Sequence, residues 1–203
     1  MLISLEIYNV NVTITYSWNQ SSLLDAVMYQ TLLGLVYFIA CSHALMLCVS
    51  LWRRSAAASP GRILALVAAV ISYKLYEGGV LYTGLYVYLS HSMDLLPGEV
   101  LWIGPLLWIY ANTLAGNPIC NRSVMIMHFI PAIALWLYNA PSVFNGSEAK
   151  IAMWKMLSEQ AEVNALPIIF VALFLSIKIH LSIYLFLAWR KINLFAATAS
   201  NLR

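Results

Sequence analysis

Charge is what this sequence has least of: 9% of its 203 residues are Asp, Glu, Lys or Arg, against a hydrophobic share of 62%. Water-soluble domains carry about 25% charged residues, so a soluble enzyme with an ordinary surface is excluded. High hydrophobicity with low charge likewise excludes intrinsic disorder. Cysteines are few, namely Cys41, Cys48 and Cys120. An odd set without metal-finger spacing indicates neither a disulfide framework nor a zinc site. Glycine-rich phosphate loops, a G-x-S-x-G elbow and H-E-x-x-H are all missing, so soluble-type catalysis has no site and no enzyme activity, metal or cofactor is expected. Residues 1–24 hold no Lys or Arg and no short apolar block ahead of a small-residue cleavage site. A removable signal peptide is therefore not expected.

What is present is apolar length. Mean hydropathy is +0.80, and five stretches, 27–52, 63–89, 100–116, 124–140 and 165–189, come near the ~20 residues that cross ~30 Å of hydrocarbon. The spacing predicts an all-α integral membrane protein with five transmembrane helices. The third and fourth stretches are on the short side. Turn residues punctuate the connections: Pro60 and Gly61, Pro97 and Gly98, then Gly116, Asn117 and Pro118. With the N-terminus outside, cytoplasmic segments hold Arg53, Arg54, Arg62, Arg122, Arg190, Lys191 and Arg203, and external segments hold Lys150 and Lys155. That asymmetry fixes the expected orientation, with a cytoplasmic C-terminus.

Outside the spans, residues 1–26 form an external segment and 190–203 a cytoplasmic tail. From Tyr8 to Trp18 aromatic and β-branched residues alternate with Asn, Thr and Ser, a period of two that reads as a strand, with a loose tail as the open alternative. The connection 141–164 carries Glu148, Lys150, Lys155, Glu159 and Glu162 among Ile151, Met153, Trp154, Met156 and Leu157. It is either a short interfacial helix or a solvated loop. Triplets at Asn11, Asn19, Asn121 and Asn145 match a glycosylation pattern that matters only on a eukaryotic secretory route.

Ionisable residues within spans are costly, which makes each a candidate site. At ~1.5 Å per residue from the arginine ending each helix, His43 and His180 lie ~15 Å in, Lys74 and Lys178 ~18 Å, and Glu77 ~22 Å. Three helices thus contribute to one polar layer. Lys74 and Glu77 are three residues apart and share a helix face, and Lys178 is the expected inter-helix partner of Glu77. Two readings are open: a cluster whose protonation or occupancy shifts helix packing, or a structural ion pair that fixes register. Tyr73, Tyr76, Tyr82, Tyr86 and Tyr88 with Gly78, Gly79 and Gly84 either line a cavity or form an interfacial belt and packing contacts. Matched depth of His43 and His180 invites a bis-histidine haem site, and Lys178 a retinal Schiff base, but no other residue supports either. Small residues four apart, Ala40 with Ala44, Ala65 with Ala69 and Ala68 with Ser72, allow close helix approach within the bundle or in a homodimer.

The run Ile103-Gly104-Pro105-Leu106-Leu107-Trp108-Ile109-Tyr110, then Leu114-Ala115-Gly116, then His128-Phe129-Ile130-Pro131-Ala132 resembles the "GPLLYLY … LHFLPA" pattern of a bacterial membrane domain that precedes AraC-type DNA-binding modules. The flanks agree in order, with Gly61-Arg62-Ile63-Leu64-Ala65-Leu66 opening the second helix and Trp189-Arg190-Lys191 ending the fifth. The resemblance covers roughly residues 28 to 203, and the Gly-Pro and His-Phe-Ile-Pro segments are its specific part. Pro105 and Pro131 remove backbone donors and are expected to kink their helices, and His128, ~9 Å from the inner face, could donate to a freed carbonyl. The chain departs from the pattern in two ways: no strong basic cluster follows the third helix, and no DNA-binding region is present.

The resemblance implies a sensor or signal-input domain of the bacterial inner membrane, the front part of a membrane-bound regulator. Its partners would be the bilayer and an unknown small-molecule or envelope signal, and this chain by itself would not bind nucleic acid. The expected signal-sensing cluster is Lys74, Glu77, Lys178, His180 and His43, and the motif residues are Gly104, Pro105, Tyr110, His128 and Pro131. The alternative is a small transporter or channel component that uses the same polar layer for translocation.

Overall fold

The computed structural model describes residues 20–57, 59–96, 98–116, 122–144, 146–152 and 168–200. These are about 89% helical and contain no strand; the alternating run 8–18 lies outside them. The α-helices with both ends described follow in order: α1 (Gln20–Arg54), α2 (Pro60–Tyr82), the single turn α3 (Tyr86–Leu89) with a 3-10 turn at Ser90–Ser92, α4 (Val100–Leu114), α5 (Arg122–Phe144) and α6 (Ile168–Ser200). A further helical stretch occupies 147–152. Among the described residues three helices are long and apolar enough to cross a membrane, over Val27–Arg54, Pro60–Tyr82 and Ser123–Pro141. Their outward faces carry exposed Leu35, Ile39, Met46, Met127, Ile130 and Leu137, a surface that water does not tolerate over so many adjacent residues.

α1 and α2 form an antiparallel hairpin. At the arginine end, Pro60 sits in the first turn of α2 after the extended Ser59, where its missing N–H has no partner to lose. Arg62 donates Nε to the Ser55 carbonyl at 3.2 Å and lies 4.8 Å from the Trp52 ring centroid, closing the short connection. Further along, Ser72 donates to the Cys41 carbonyl at 3.1 Å. A Cβ added at Gly79 would stand 2.9 Å from the Phe38 ring. Gly78 meets Tyr37 in the same way, so these glycines are contacts for aromatic rings rather than points of bending.

The second helix is shorter than its apolar run. The expected span 63–89 ends at Tyr82, because Thr83 bonds back to Gly79 through both N–H (3.1 Å) and Oγ1 (2.7 Å) and Gly84 then takes φ +71°. A left-handed residue at that place stops the helix, and glycine reaches it without strain. The chain turns back through α3 and the 3-10 turn, and Asp94 at φ 58° and Gly98 at φ +71° aim it into α4.

α4 is the centre of the fold. It packs against α2 on one side and α6 on another, with α5 also against it. Leu101, Gly104, Pro105, Leu106, Ile109, Ala111 and Asn112 are all buried, positions that cover more than half of the helix's circumference, and the rest is mostly apolar and half-buried, which is why the segment has no polar stripe. The other long helices bury one side only. α6 continues well past Arg190 to Ser200, so most of the expected tail is helical.

Candidate functional site

Polar side chains gather where α2 ends and α4 begins, the end of the bundle opposite Arg54 and Arg62. Lys74 Nζ stands 2.7 Å from Glu99 Oε1 and 3.5 Å from Glu77 Oε2. Side-chain exposure is 53% for Lys74, 10% for Glu77 and 7% for Glu99, so a partly solvated ammonium serves two buried carboxylates. The i,i+3 spacing of Lys74 and Glu77 put both on one helix face, as their sequence positions imply. Glu99 arrives from the residue that precedes α4, where a carboxylate also faces the positive end of the helix dipole.

The returning loop is tied to the same helix through its backbone. Glu77 Oε1 accepts the Asp94 amide at 2.9 Å. Tyr73 donates its hydroxyl to the Ser92 carbonyl at 3.2 Å and accepts the Leu95 amide at 2.8 Å. Ser92 Oγ donates to the Leu89 carbonyl at 2.7 Å, which leaves Tyr76 as the donor in the 2.6 Å Tyr76–Ser92 contact. Two further groups reach in from later in the chain. Trp136 of α5 donates Nε1 to the Leu95 carbonyl at 3.2 Å, and Lys150, only 2% exposed, donates Nζ to the Met93 carbonyl at 3.0 Å. Met93 itself is 1% exposed. Segment 89–99 is thus a strap held by α2, α5 and the 147–152 helix together, and the described part of the fourth connection, 146–152, is docked at Lys150.

A second group surrounds α4 nearer its middle. His128 Nδ1 and the Tyr184 hydroxyl are 2.7 Å apart, joining α5 to α6. The Trp108 ring lies 4.4 Å from His128, and His180 lies 4.8 Å from Tyr184, centroid to centroid. Gly104 gives Tyr184 its room, since a Cβ there would stand 3.0 Å from the ring. Beside this group is a cavity of about 460 Å³ between Leu101 of α4, Pro131, Leu135 and Tyr138 of α5, and Ile177 and His180 of α6.

Of the residues singled out in the sequence, Lys74 and Glu77 meet, and Gly104, His128 and Pro131 fall around Tyr184 and the cavity. Pro105 is buried in α4 and Tyr110 half-buried further along it. The expected polar layer does not assemble across three helices. Glu77 takes its contacts from Lys74 and the Asp94 amide, while Lys178 is exposed on α6, a helix that packs on α4. His43 is exposed on α1 with Nδ1 2.8 Å from its own Ile39 carbonyl. It shares no site with His180, because α1 packs on α2 and α6 on α4, which removes the bis-histidine arrangement. His128 takes a tyrosine rather than a proline-freed carbonyl. Sequence reasoning missed Glu99, Lys150, Tyr184 and Trp136. The one available signal was Glu99 itself, an acid directly before an apolar helix. Among the described residues no group of three or more His, Cys, Asp or Glu is placed to hold a metal.

No protein-family model, curated protein or solved structure matches the chain.

Proposed function

We propose that this chain is the signal-input part of a bacterial inner-membrane regulator, crossing the membrane five times with its N-terminus outside, of the kind that precedes AraC-type DNA-binding modules. The observation that carries the reading is the strap 89–99, anchored through buried Ser90, Met93 and Glu99. It is held by Lys74, Glu77, Tyr73, Tyr76, Trp136 and Lys150, and it leads at Glu99 directly into α4. In the proposed orientation the strap faces the cell exterior. A cue that competes for Lys74 or displaces the strap changes the N-terminal end of α4, and α4 packs on α6, which runs on to Ser200. That gives a path of packed elements from the strap to the cytoplasmic side.

Translocation is the poorer fit. A conduit needs ionisable groups spread along a path through the span, whereas Lys74, Glu77 and Glu99 are drawn into one loop-anchoring cluster at one end, with Lys178 on another helix. The test is transcript profiling in a strain lacking the gene, complemented with the whole natural reading frame. Wild type is expected to restore a small, defined set of transcripts, and a Lys74→Met/Glu99→Gln version inserted at normal level to shift them. Transcripts indifferent to the deletion would overturn the regulator reading, and solute flux in proteoliposomes would put the transporter in its place.

A further inference from the structure

From the cavity beside α4 we infer that the chain binds a neutral, lipid-soluble carbonyl compound of the quinone class, with His180 as the group that hydrogen-bonds its head. His180 is the starting point. Both of its ring nitrogens are buried, and neither has a hydrogen-bond partner among the described residues. Buried polar atoms are ordinarily satisfied, and leaving one unsatisfied is costly. This ring also lines the cavity of about 460 Å³, whose other walls include Leu101, Pro131, Leu135 and Ile177. A ring whose nitrogens lack a protein partner, set in the wall of a space that is otherwise apolar but for Ser176 and Tyr138, marks the place for a ligand's polar group, which one nitrogen meets when the ring turns toward the space.

The lining sets the chemistry of that ligand. Among the described residues no Lys or Arg lines the cavity, so a carboxylate or phosphate head meets no counter-charge from them, and an anion in such surroundings is disfavoured. A neutral imidazole offers one N–H to a carbonyl oxygen. Lys178, two residues from His180, does not line the cavity; at ~100° per residue it points to a different side of α6. Flat side chains, Tyr138 in the wall and the His180 ring itself, with Tyr184 tilted at 56° against it 4.8 Å away, suit a planar head. Pro131 and Tyr138 are exposed on the outside of α5, so a ligand dissolved in the bilayer reaches the space sideways between α5 and α6. The inference goes beyond the signal-input reading and does not need it, since binding is read without any transcriptional output.

The experiment places the full chain in nanodiscs of phosphatidylethanolamine and phosphatidylglycerol free of quinone, titrates decylubiquinone, and maps the site with an azido-quinone photolabel. Saturable binding is expected, at one quinone per chain, with label on 131–138 and 176–180. His180→Phe keeps a planar ring without nitrogen and should weaken binding about tenfold, the scale of one lost hydrogen bond to a buried group. Ala134→Trp, whose new side chain fills the cavity while His180 stays, should abolish the label in those segments. If His180→Phe does not fold, Ala134→Trp and competition decide: unlabelled decylubiquinone must displace the label and hexadecane must not. Uptake that rises in proportion to quinone, label spread over all exposed helix faces, equal displacement by hexadecane, or unchanged binding in a folded variant would each overturn the inference.

Discussion

Replacing Lys74 by methionine keeps most of the side chain's apolar stem and removes the ammonium between Glu77 and Glu99. In the native arrangement that ammonium is 2.7 Å from one carboxylate and 3.5 Å from the other, and both carboxylates are at most 10% exposed. Breaking a fully buried ion pair costs about 3–5 kcal/mol because a charge is left uncompensated, while an exposed pair contributes about 1 kcal/mol or less. Lys74 is 53% exposed, so the cost falls between these limits, at about 2 kcal/mol. At roughly 2–4 °C per kcal/mol for a chain of this size, Tm should drop by about 4–8 °C. Glu99→Gln should be milder, about 1 kcal/mol or less, since it leaves a lysine that water reaches and that still has Glu77. The double variant Lys74→Met/Glu99→Gln should recover part of the Lys74→Met loss, because one of two unpaired like charges has gone. Thermal unfolding of the three variants in nanodiscs, followed by tryptophan fluorescence, measures all of this. Additive losses, or Glu99→Gln more damaging than Lys74→Met, would refute the shared-ammonium account.

Other expectations follow from the same contacts. Tyr184→Phe loses the 2.7 Å contact with His128 and should cost about 0.6 kcal/mol, the average for an inter-helix hydrogen bond in a membrane, whereas Gly104→Val collides with the Tyr184 ring and should cost more in the same unfolding assay, by about 1–3 kcal/mol. Gly79→Leu drives a side chain into Phe38 and should separate α1 from α2, seen as faster proteolysis at the 55–59 connection, while Leu66→Ala on the exposed side of α2 should leave the rate unchanged. In a chain with Cys41, Cys48 and Cys120 replaced, an impermeant maleimide applied to intact cells should label His91→Cys and Glu148→Cys alike and should reach Ala57→Cys only after lysis. The reverse pattern would invert the proposed orientation.

How far the sequence could be read depended on what each signal measures. Hydropathy located α1, α2 and α5 because each is a long apolar helix, but it could not stop α2 at Tyr82, since Leu85, Val87 and Leu89 beyond Gly84 are as apolar as the helix itself. The Lys74–Glu77 contact was legible because it is local and set by helix periodicity. Its third member was not, because bringing Glu99 back to Lys74 requires the turn-back after Tyr82, which the left-handed residues Gly84, Asp94 and Gly98 direct. Lys150 could be placed only by side of the membrane, not by its burial against Met93. His43 and His180 show the same limit from the other direction. Counting residues from an arginine gives depth along a helix but says nothing of which helices are neighbours, and these two stand on helices packed against different partners.

The element that organises both candidate sites is the shortest of the long helices, and its shortness belongs to the argument. α4 has 15 residues, shorter than a typical span, and it sits among longer helices whose outward faces are apolar. A helix packed over more than half of its circumference has little free surface on which to absorb a displacement, so movement at one end must be met by the neighbours it touches. Glu99, held by Lys74, immediately precedes this helix. Leu101, two residues on, is a wall of the His180 cavity, and Gly104, three further, is the seat of Tyr184. An event at the strap and an occupant of the cavity would act on the same first turns of α4, and coupling of the two sites through that packing is the expected result. Occupancy of the cavity should accordingly change the stability lost on Lys74→Met, a linkage that the nanodisc unfolding assay reads directly when it is repeated with and without decylubiquinone. An unfolding loss that is the same in both conditions would mean that α4 carries the two sites side by side without joining them.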